Sequence, residues 1–182
     1  MLVFSISLLS CSKEIEKKID KSFTVYTIKE GEHFSDNNNL VWHDSISEMK
    51  FIVEFDNSAI YTTIDSLNQL DVNKLYGFSD NASLHHDFSA RIGWRWRNNK
   101  LELLAYIYNN SVRDFTYIKS VPLNQEITCS IKIASNKYIF SVDDTTIEMP
   151  RTAVVASGYQ LYPYFGGDET APHSIKIYIK NL

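Results

Sequence analysis

Arginines and tyrosines cluster in residues 90–108, where they could bind an anionic ligand. The stretch reads ARIGWRWRNNKLELLAYIY and contains Arg91, Arg95, Tyr106 and Tyr108. A guanidinium donates two parallel hydrogen bonds to a carboxylate or sulfate, and a tyrosine ring combines an apolar body with a polar tip. These residue types together favour recognition of an acidic or hydroxyl-rich glycan. We call these four residues the arginine–tyrosine face.

A β-hairpin centred on Asn98–Asn99 would bring these residues onto one face. Asn tolerates the positive φ angles of a two-residue turn, and the resulting register pairs Arg95 with Glu102. Trp94 and Trp96 then fall on the opposite, wholly apolar face. A slip of one residue would bury the arginines, at a cost of several kcal/mol for each unpaired charge. We therefore predict that the tryptophans belong to the core. An ordinary solvated sheet surface remains the alternative interpretation of the arginine–tyrosine face.

Histidines provide further candidate ligand-binding residues. His85 and His86 are adjacent, so in a regular strand they would point to opposite faces and could chelate one metal ion only from a loop. His173 follows a proline where a loop enters the last predicted strand. We predict ligand-binding roles for His86 and His173, together with Glu102, and we predict no metal site.

Calcium is the one cofactor that acidic loops of this chain could bind. Hard cations take oxygen ligands from such loops, and the candidates are Asp65, Asp71, Asp80 and Asp168. Their spacing matches no fixed pattern of calcium ligands. The sequence therefore predicts no cofactor, with calcium as the alternative.

Most of the chain alternates between apolar and polar residues, which is typical of β-strands. The predicted strands are 22–29, 47–56, 58–63, 88–97, 100–109, 115–121, 126–134, 137–144, 159–165 and 174–180. No segment keeps helical periodicity long enough to connect parallel strands, so the strands should pair antiparallel. Ten to thirteen strands in one domain predict an all-β, two-sheet sandwich of the jelly-roll type, with a closed barrel as the alternative.

Length and charge limit the function classes. A chain of 182 residues can bury a single large core. Its formal net charge is −4, and no basic run suggests a nucleic-acid partner.

The first residues, MLVFSISLLSCSK, resemble a bacterial lipoprotein signal that is cut before a lipid-carrying cysteine. We expect a signal peptide over 1–10, lipidated Cys11 with a charged tether over 11–21, and a folded domain over 22–182. The alternative is a buried first strand with an incidental cysteine. With Cys11 lipidated, Cys129 has no partner for an intramolecular disulfide, and the alternation around Cys129 predicts a buried, unreactive thiol.

Three segments resemble secreted lipoproteins of Bacteroidota with a concanavalin A-like lectin/glucanase sandwich. They are NKLYGFSD (73–80), HHDFSARIGWRW (85–96) and LYPYFGGDETAPHSIKIYIK (161–180). The resemblance covers nearly all of the chain after residue 21 and implies a jelly-roll fold. It supplies no catalytic residues, because this broad fold includes lectins, β-glucanases and alginate lyases.

The signatures of the enzymes that share this fold are incomplete in this chain. Retaining β-glucanases of the fold carry Glu-x-Asp-x-x-Glu, and neither Glu54-Phe55-Asp56 nor Asp143-Asp144 completes that pattern. Jelly-roll alginate lyases carry Gln-Ile-His and Tyr-x-Lys-x-Gly-x-Tyr strands. The chain has no Gln-Ile-His, and its YPYFGG segment lacks the lysine.

The sequence thus predicts a lipid-anchored glycan-binding protein of the bacterial cell envelope, held at the outer membrane through Cys11. Its expected partner is a poly- or oligosaccharide, contacted by the arginine–tyrosine face. A polysaccharide lyase or glycoside hydrolase acting on an acidic glycan is the first alternative. A non-catalytic structural or interaction protein is the second.

Overall fold

Two six-stranded antiparallel sheets pack face to face in the computed structural model, which describes residues 22–182. The predicted signal peptide (1–10) and the tether with Cys11 (11–21) lie outside the described residues. Within 22–182, no helix is long and apolar enough to cross a bilayer. The predicted two-sheet sandwich is confirmed, and the closed-barrel alternative is wrong, because each sheet has two free edges.

Twelve strands follow one another along the chain. They are β1 (Thr24–Ile28), β2 (Trp42–His43), β3 (Glu48–Phe55), β4 (Asn73–Ser79), β5 (Phe88–Arg97), β6 (Lys100–Asn109), β7 (Val112–Val121), β8 (Ile127–Ala134), β9 (Lys137–Val142), β10 (Thr145–Pro150), β11 (Gly158–Leu161) and β12 (Ile175–Asn181). Sheet I has the order β1-β12-β3-β8-β9-β10, and sheet II has the order β2-β11-β4-β5-β6-β7.

The β5–β6 hairpin has the register predicted from the sequence. Arg95 pairs with Glu102 and Trp94 with Leu103. The two turn residues of Asn98–Asn99 both have positive φ, 51° and 56°, as a tight hairpin turn requires. This register places the arginine–tyrosine face on the outer surface of sheet II.

The core lies between the sheets and is rich in aromatic side chains. Trp94 is fully buried and its ring centroid lies 5.3 Å from that of Phe55, which sheet I contributes. Trp96 is half-buried and packs against the same core. The predicted core positions of both tryptophans are confirmed. Cys129 is fully buried too, and burial raises the pKa of its thiol.

Two local predictions differ from the structure. Residues 58–63 are not a strand, because the Asp56 side chain caps a short 3-10 helix, Asn57–Ala59, by accepting a hydrogen bond from the Ser58 backbone. Strands β2, β4 and β10 were not predicted. In β4 both faces are largely buried, so its sequence lacks the alternation of a half-exposed strand.

A buried ion pair joins the two sheets. Asp80 follows β4 of sheet II, and its Oδ2 lies 2.6 Å from Arg151 Nε, just beyond β10 of sheet I. The Tyr138 hydroxyl, on β9, donates to the same carboxylate at 2.6 Å. Because every oxygen of this carboxylate has a donor, the pair bridges the sandwich without leaving a buried charge unpaired.

Candidate functional site

A groove of about 680 Å³ runs along the outer surface of sheet II. Its floor carries side chains from the central strands: Lys74 of β4, Arg91 of β5, Tyr106 and Tyr108 of β6, and Tyr159 of β11. Its walls come from the loops 33–41, 81–87 and 162–167. No Asp or Glu of residues 22–182 lines the groove. The cavity therefore favours an anionic ligand over a cationic one.

Arg91 is a buried cation with no acidic partner in the described part of the chain. Its exposed fraction is 5%, and its Nε is buried without a hydrogen-bond partner. The guanidinium lies over the Tyr106 ring, with Cζ 5.6 Å from the centroid. Burial lowers the pKa of Arg91, because its surroundings solvate the charge poorly. A bound anion would supply the missing partner.

The absence of a side chain at Gly77 leaves space for the Arg91 side chain. The two residues face each other across β4 and β5. A Cβ at Gly77 would lie 2.9 Å from Arg91 Cγ and 2.1 Å from the Ala90 carbonyl oxygen. Only glycine therefore lets the arginine side chain cross β4 at this point.

Lys74 is the second cation of the floor. Its Nζ donates to the Gly166 carbonyl at 2.7 Å and lies 5.4 Å from the ring centroids of both Tyr106 and Tyr164. Burial, with repulsion from Arg91 as the next cause, lowers the pKa of Lys74 to about 8. Lys74 is therefore mostly charged at neutral pH but loses its proton readily.

A histidine–tyrosine pair stands at the wall of the groove. The Tyr159 hydroxyl oxygen accepts a hydrogen bond from the His85 backbone N–H at 3.0 Å and lies 2.7 Å from His85 Nδ1. Burial, followed by repulsion from Arg91, lowers the pKa of His85 to about 4. His85 is therefore neutral at pH 7, and its Nδ1 can accept the Tyr159 hydroxyl hydrogen. Beside this pair, the His86 ring lies 5.1 Å from that of Tyr108.

The structure divides the predicted ligand-binding residues into two groups. Those that line the groove are Arg91, Tyr106, Tyr108 and His86. Those that do not are Arg95, Glu102 and His173. Arg95 Nε binds Glu102 Oε2 at 2.7 Å, and His173 Nε2 lies 2.9 Å from the Ser58 carbonyl oxygen. The contacts of this second group are thus made within the protein.

Sequence reasoning missed several polar residues of the groove, among them Lys74, Arg113, Tyr159 and Tyr164. The sequence offered one signal for Lys74, because it is the one charged residue of the segment Asn73–Ser79. Tyr164 reaches the groove through a fold-back that no local pattern indicates: its backbone pairs with Lys74, and its ring stacks on His33 at 5.2 Å.

Three of the four acidic candidates accept hydrogen bonds within the protein. Asp80 binds Arg151, Asp65 Oδ1 accepts from the Leu67 backbone, and Asp71 Oδ2 accepts from the Asp168 backbone. Across residues 22–182, no three His, Cys, Asp or Glu side chains come together as metal ligands would. Glu54, Asp56, Asp143 and Asp144 do not line the groove either.

Comparisons with known proteins identify relatives by fold. No protein-family model matches the sequence, and no curated protein matches it. Among solved structures, alginate lyase AlyC3 superimposes with a TM-score of 0.60 at 14% identity, over 89% of this chain and 75% of that one. A structure of AlyC3 in complex with dimannuronate gives a TM-score of 0.59.

A glycoside hydrolase family 16 endo-glucanase from Bacteroides ovatus superimposes with a TM-score of 0.57 at 11% identity, over 91% of this chain and 83% of that one. A functionally unknown protein from Saccharomyces cerevisiae gives 0.57 at 9% identity, over 90% of this chain and 87% of that one. At such identities the likeness concerns the fold alone. The chain has the concanavalin A-like jelly-roll sandwich of the lyase and glucanase structures.

Proposed function

We propose that the groove binds an acidic oligosaccharide whose carboxylate pairs with Arg91. The observation that carries the proposal is the burial of this guanidinium without an acidic partner among residues 22–182. Leaving a charge buried and unpaired costs several kcal/mol, and a ligand carboxylate would remove that cost. A planar guanidinium also fits a carboxylate through two parallel hydrogen bonds.

The other polar groups of the groove suit a chain of uronic acids. Lys74 and the exposed Arg113 add two cations along the same cavity, so successive carboxylates can each meet a positive charge. Tyr108 is half-buried and presents a ring face and a hydroxyl, which suit a sugar ring at a low cost in side-chain entropy, whereas Tyr106 lies buried beneath Arg91 and Lys74. A neutral glucan would leave all three cations unpaired and should bind weakly.

The side chains of the groove favour an acidic ligand over a neutral one, and the structural neighbours include both an alginate lyase and an endo-glucanase. AlyC3 takes dimannuronate, a disaccharide with two carboxylates. Most glycoside hydrolases use two carboxylic residues that flank the scissile bond, and the groove has none among the described residues. We therefore set the glycoside hydrolase alternative below binding of a uronate.

Binding is tested with immobilised polyuronate and a neutral β-glucan of similar length as the control polymer. The wild-type protein should be retained on the polyuronate only, and added salt should weaken retention. Arg91→Met removes the charge and keeps the aliphatic length, so this variant should lose retention. Equal retention of wild type and variant would reject Arg91 as the centre of the site.

A polysaccharide lyase is the second candidate, because the His85–Tyr159 pair lies at the wall beside Arg91. In β-elimination a base takes the proton from C5 of the uronate, a double bond forms between C4 and C5, and the C4–O bond breaks. Arg91 would neutralise the carboxylate. The Tyr159 hydroxyl oxygen would accept the C5 proton while its own proton passes to His85 Nδ1, and the same hydroxyl would then protonate the leaving oxygen and recover its proton from His85.

The two candidates give different products. A lyase releases unsaturated oligosaccharides that absorb ultraviolet light, whereas a binding protein leaves the polymer intact. Tyr159→Phe keeps the ring and removes the hydroxyl. If the protein is a lyase, this variant should form no product but should still bind the polymer. Absence of ultraviolet-absorbing product with wild-type protein on every polyuronate that it binds would exclude the lyase.

We further propose that the domain is anchored to the cell envelope through Cys11. The support is the sequence alone: an apolar run ends at Ser10-Cys11, and the following residues are charged. The lipid would provide the two or more acyl chains that stable anchoring requires. Expression with labelled fatty acid should label the wild type and leave Cys11→Ser unlabelled. An unlabelled wild type would reject the anchor.

A further inference from the structure

The mouth of the groove carries strongly exposed apolar side chains. Phe34, Leu40 and Leu84 line the cavity and are 61%, 75% and 68% exposed. Single exposed apolar residues are common on protein surfaces, but a group of them around one cavity marks a contact surface. The floor below them carries the unpaired Arg91, so the ligand must satisfy both a buried cation and an apolar rim.

The two leucines flank the Tyr159 end of the groove. Leu84 directly precedes His85, which holds the Tyr159 hydroxyl. Leu40 directly precedes Val41, whose carbonyl accepts a hydrogen bond from the Gln160 backbone at 2.9 Å. Both leucines are thus fixed next to the same short strand, β11, and they face the cavity from two different loops.

An unsubstituted uronate does not account for these leucines. Sugar hydroxyls need hydrogen-bond partners when they lose water, and a leucine side chain offers none. Phe34 is different, since an aromatic ring can pack on the apolar face of a pyranose, and its ring already lies edge-on to Tyr164 at 5.0 Å. Leucines suit a position where the hydroxyl is replaced by an apolar substituent.

We propose that the groove selects an O-acylated uronic-acid glycan, with the ester acyl groups packed against Leu40 and Leu84 while the carboxylate pairs with Arg91. Esterification hides the hydroxyl that a leucine could not satisfy and adds apolar surface for the leucines to cover. This inference rests on the proposed function, because it names the kind of acidic glycan that the same groove takes.

The test uses one acetylated polyuronate preparation divided into two halves. Mild base removes the ester groups from one half and leaves the carboxylates in place. Isothermal titration calorimetry with the full-length protein then gives a dissociation constant for each polymer. The wild type should bind the acetylated half about fourfold more tightly or better, the gain expected from burying one methyl-sized group.

Substitutions at the rim test whether Leu40 and Leu84 cause the preference for the acetylated polymer. Leu40→Ser with Leu84→Ser should bring the affinity ratio of the two polymers close to one. Leu67→Ser is the matched control, because Leu67 is 72% exposed and lies outside the groove, and it should keep the wild-type ratio. Circular dichroism melting confirms that each variant is folded.

Each other result contradicts a different part of the inference: the acyl selection, the role of the two leucines or the acidic glycan. Equal binding of the two halves by the wild type, or tighter binding of the de-esterified half, overturns acyl selection and leaves the acidic-glycan proposal standing. If the Leu40→Ser, Leu84→Ser double variant keeps the wild-type affinity ratio, the two leucines are not the source of the preference. The same conclusion follows if Leu67→Ser also loses that ratio. Binding of neither half rejects the acidic glycan itself.

Discussion

Arg91 and Arg95 project from the same face of β5, yet of these two arginines only Arg95 has a carboxylate partner among residues 22–182. Arg95 Nε lies 2.7 Å from Glu102 Oε2, and its Nη1 donates to the Leu70 carbonyl at 2.9 Å. Arg91 has a buried Nε without a partner and a tyrosine ring as its neighbour. Arg95 therefore stabilises the fold, while Arg91 has its charge available to a ligand.

Removing the Arg91 charge should weaken binding without harming the fold. We expect Arg91→Met to reduce affinity for a polyuronate by about 10- to 100-fold, the contribution of a hydrogen bond to a charged group. The melting temperature should stay equal or rise, because a buried unpaired charge is replaced by an apolar side chain of similar length. Calorimetric titration and thermal melting measure the two effects.

Arg95→Met is the matched control on the same strand. It leaves Glu102 without its cation in a site where both side chains are largely buried, so the free energy of unfolding should fall by about 3–5 kcal/mol. Denaturant unfolding measures this loss. If Arg95→Met instead abolished binding in a protein of unchanged stability, our division of roles between the two arginines would be wrong.

Binding should depend on pH through Lys74. The pKa of Lys74 is lowered to about 8 in the free protein, so the side chain is a cation below that pH and neutral above it. Affinity for a polyuronate should therefore fall as the pH rises through about 8. The loss should reach about tenfold, one charge-assisted hydrogen bond. Titrations between neutral and alkaline pH measure it.

Two groups serve as internal references for this pH dependence. Lys74→Met should bind weakly at every pH and show no step near 8. His85, whose pKa is lowered to about 4, stays neutral throughout this range and cannot produce the step. A wild-type affinity that is flat across pH 8 would show that Lys74 does not contact the ligand.

Trp94 should be essential for stability and irrelevant to binding. Trp94→Ala removes a fully buried indole that contacts Phe55, Tyr61 and Phe165. The free energy of unfolding should fall by about 3–5 kcal/mol, as for other large buried aromatics. Trp96→Ala should cost less, because Trp96 is only half-buried. A stable Trp94→Ala protein that fails to bind glycan would contradict this assignment.

Asp80→Asn tests the link between the sheets. The change leaves the Arg151 charge buried without its carboxylate, and we expect a loss of about 3–5 kcal/mol in the free energy of unfolding. Urea unfolding followed by fluorescence measures it. Asp87→Asn, in the same loop but with a single side-chain contact to Ser111, is the control and should change stability little. Similar losses in the two variants would contradict the role of Asp80.

The sequence predicted the fold well because strand pairing at the hairpin is a local problem. Alternation and the Asn98–Asn99 turn determine which residues of β5 and β6 face the core, and the structure confirms that register. Strand β4 was missed for a physical reason. A central strand that is covered on both sides carries no period-two pattern, and its bulge between Lys74 and Tyr76 breaks the alternation further.

The groove could be predicted only in part. Arg91, Tyr106 and Tyr108 share the outer face of one hairpin, so the alternation of that hairpin identified them. Lys74 and Tyr159 come from strands far apart in sequence, and only the sheet order brings them together. Arg95 has the same alternation as Arg91. Its burial under the Leu70 segment depends on a tertiary contact that no local pattern records.

The carboxylate that joins the sheets also stands at the start of one wall of the groove. Asp80 begins the loop that carries Leu84, His85 and His86, and further contacts hold that loop: Asn81 Oδ1 accepts from the Val154 backbone, and the Ala82 N–H donates to the Ser157 carbonyl. This wall is therefore in place before a glycan arrives. Association should lose little conformational entropy on the protein side, and residues 80–87 should be as protected from hydrogen exchange in the free protein as in the complex.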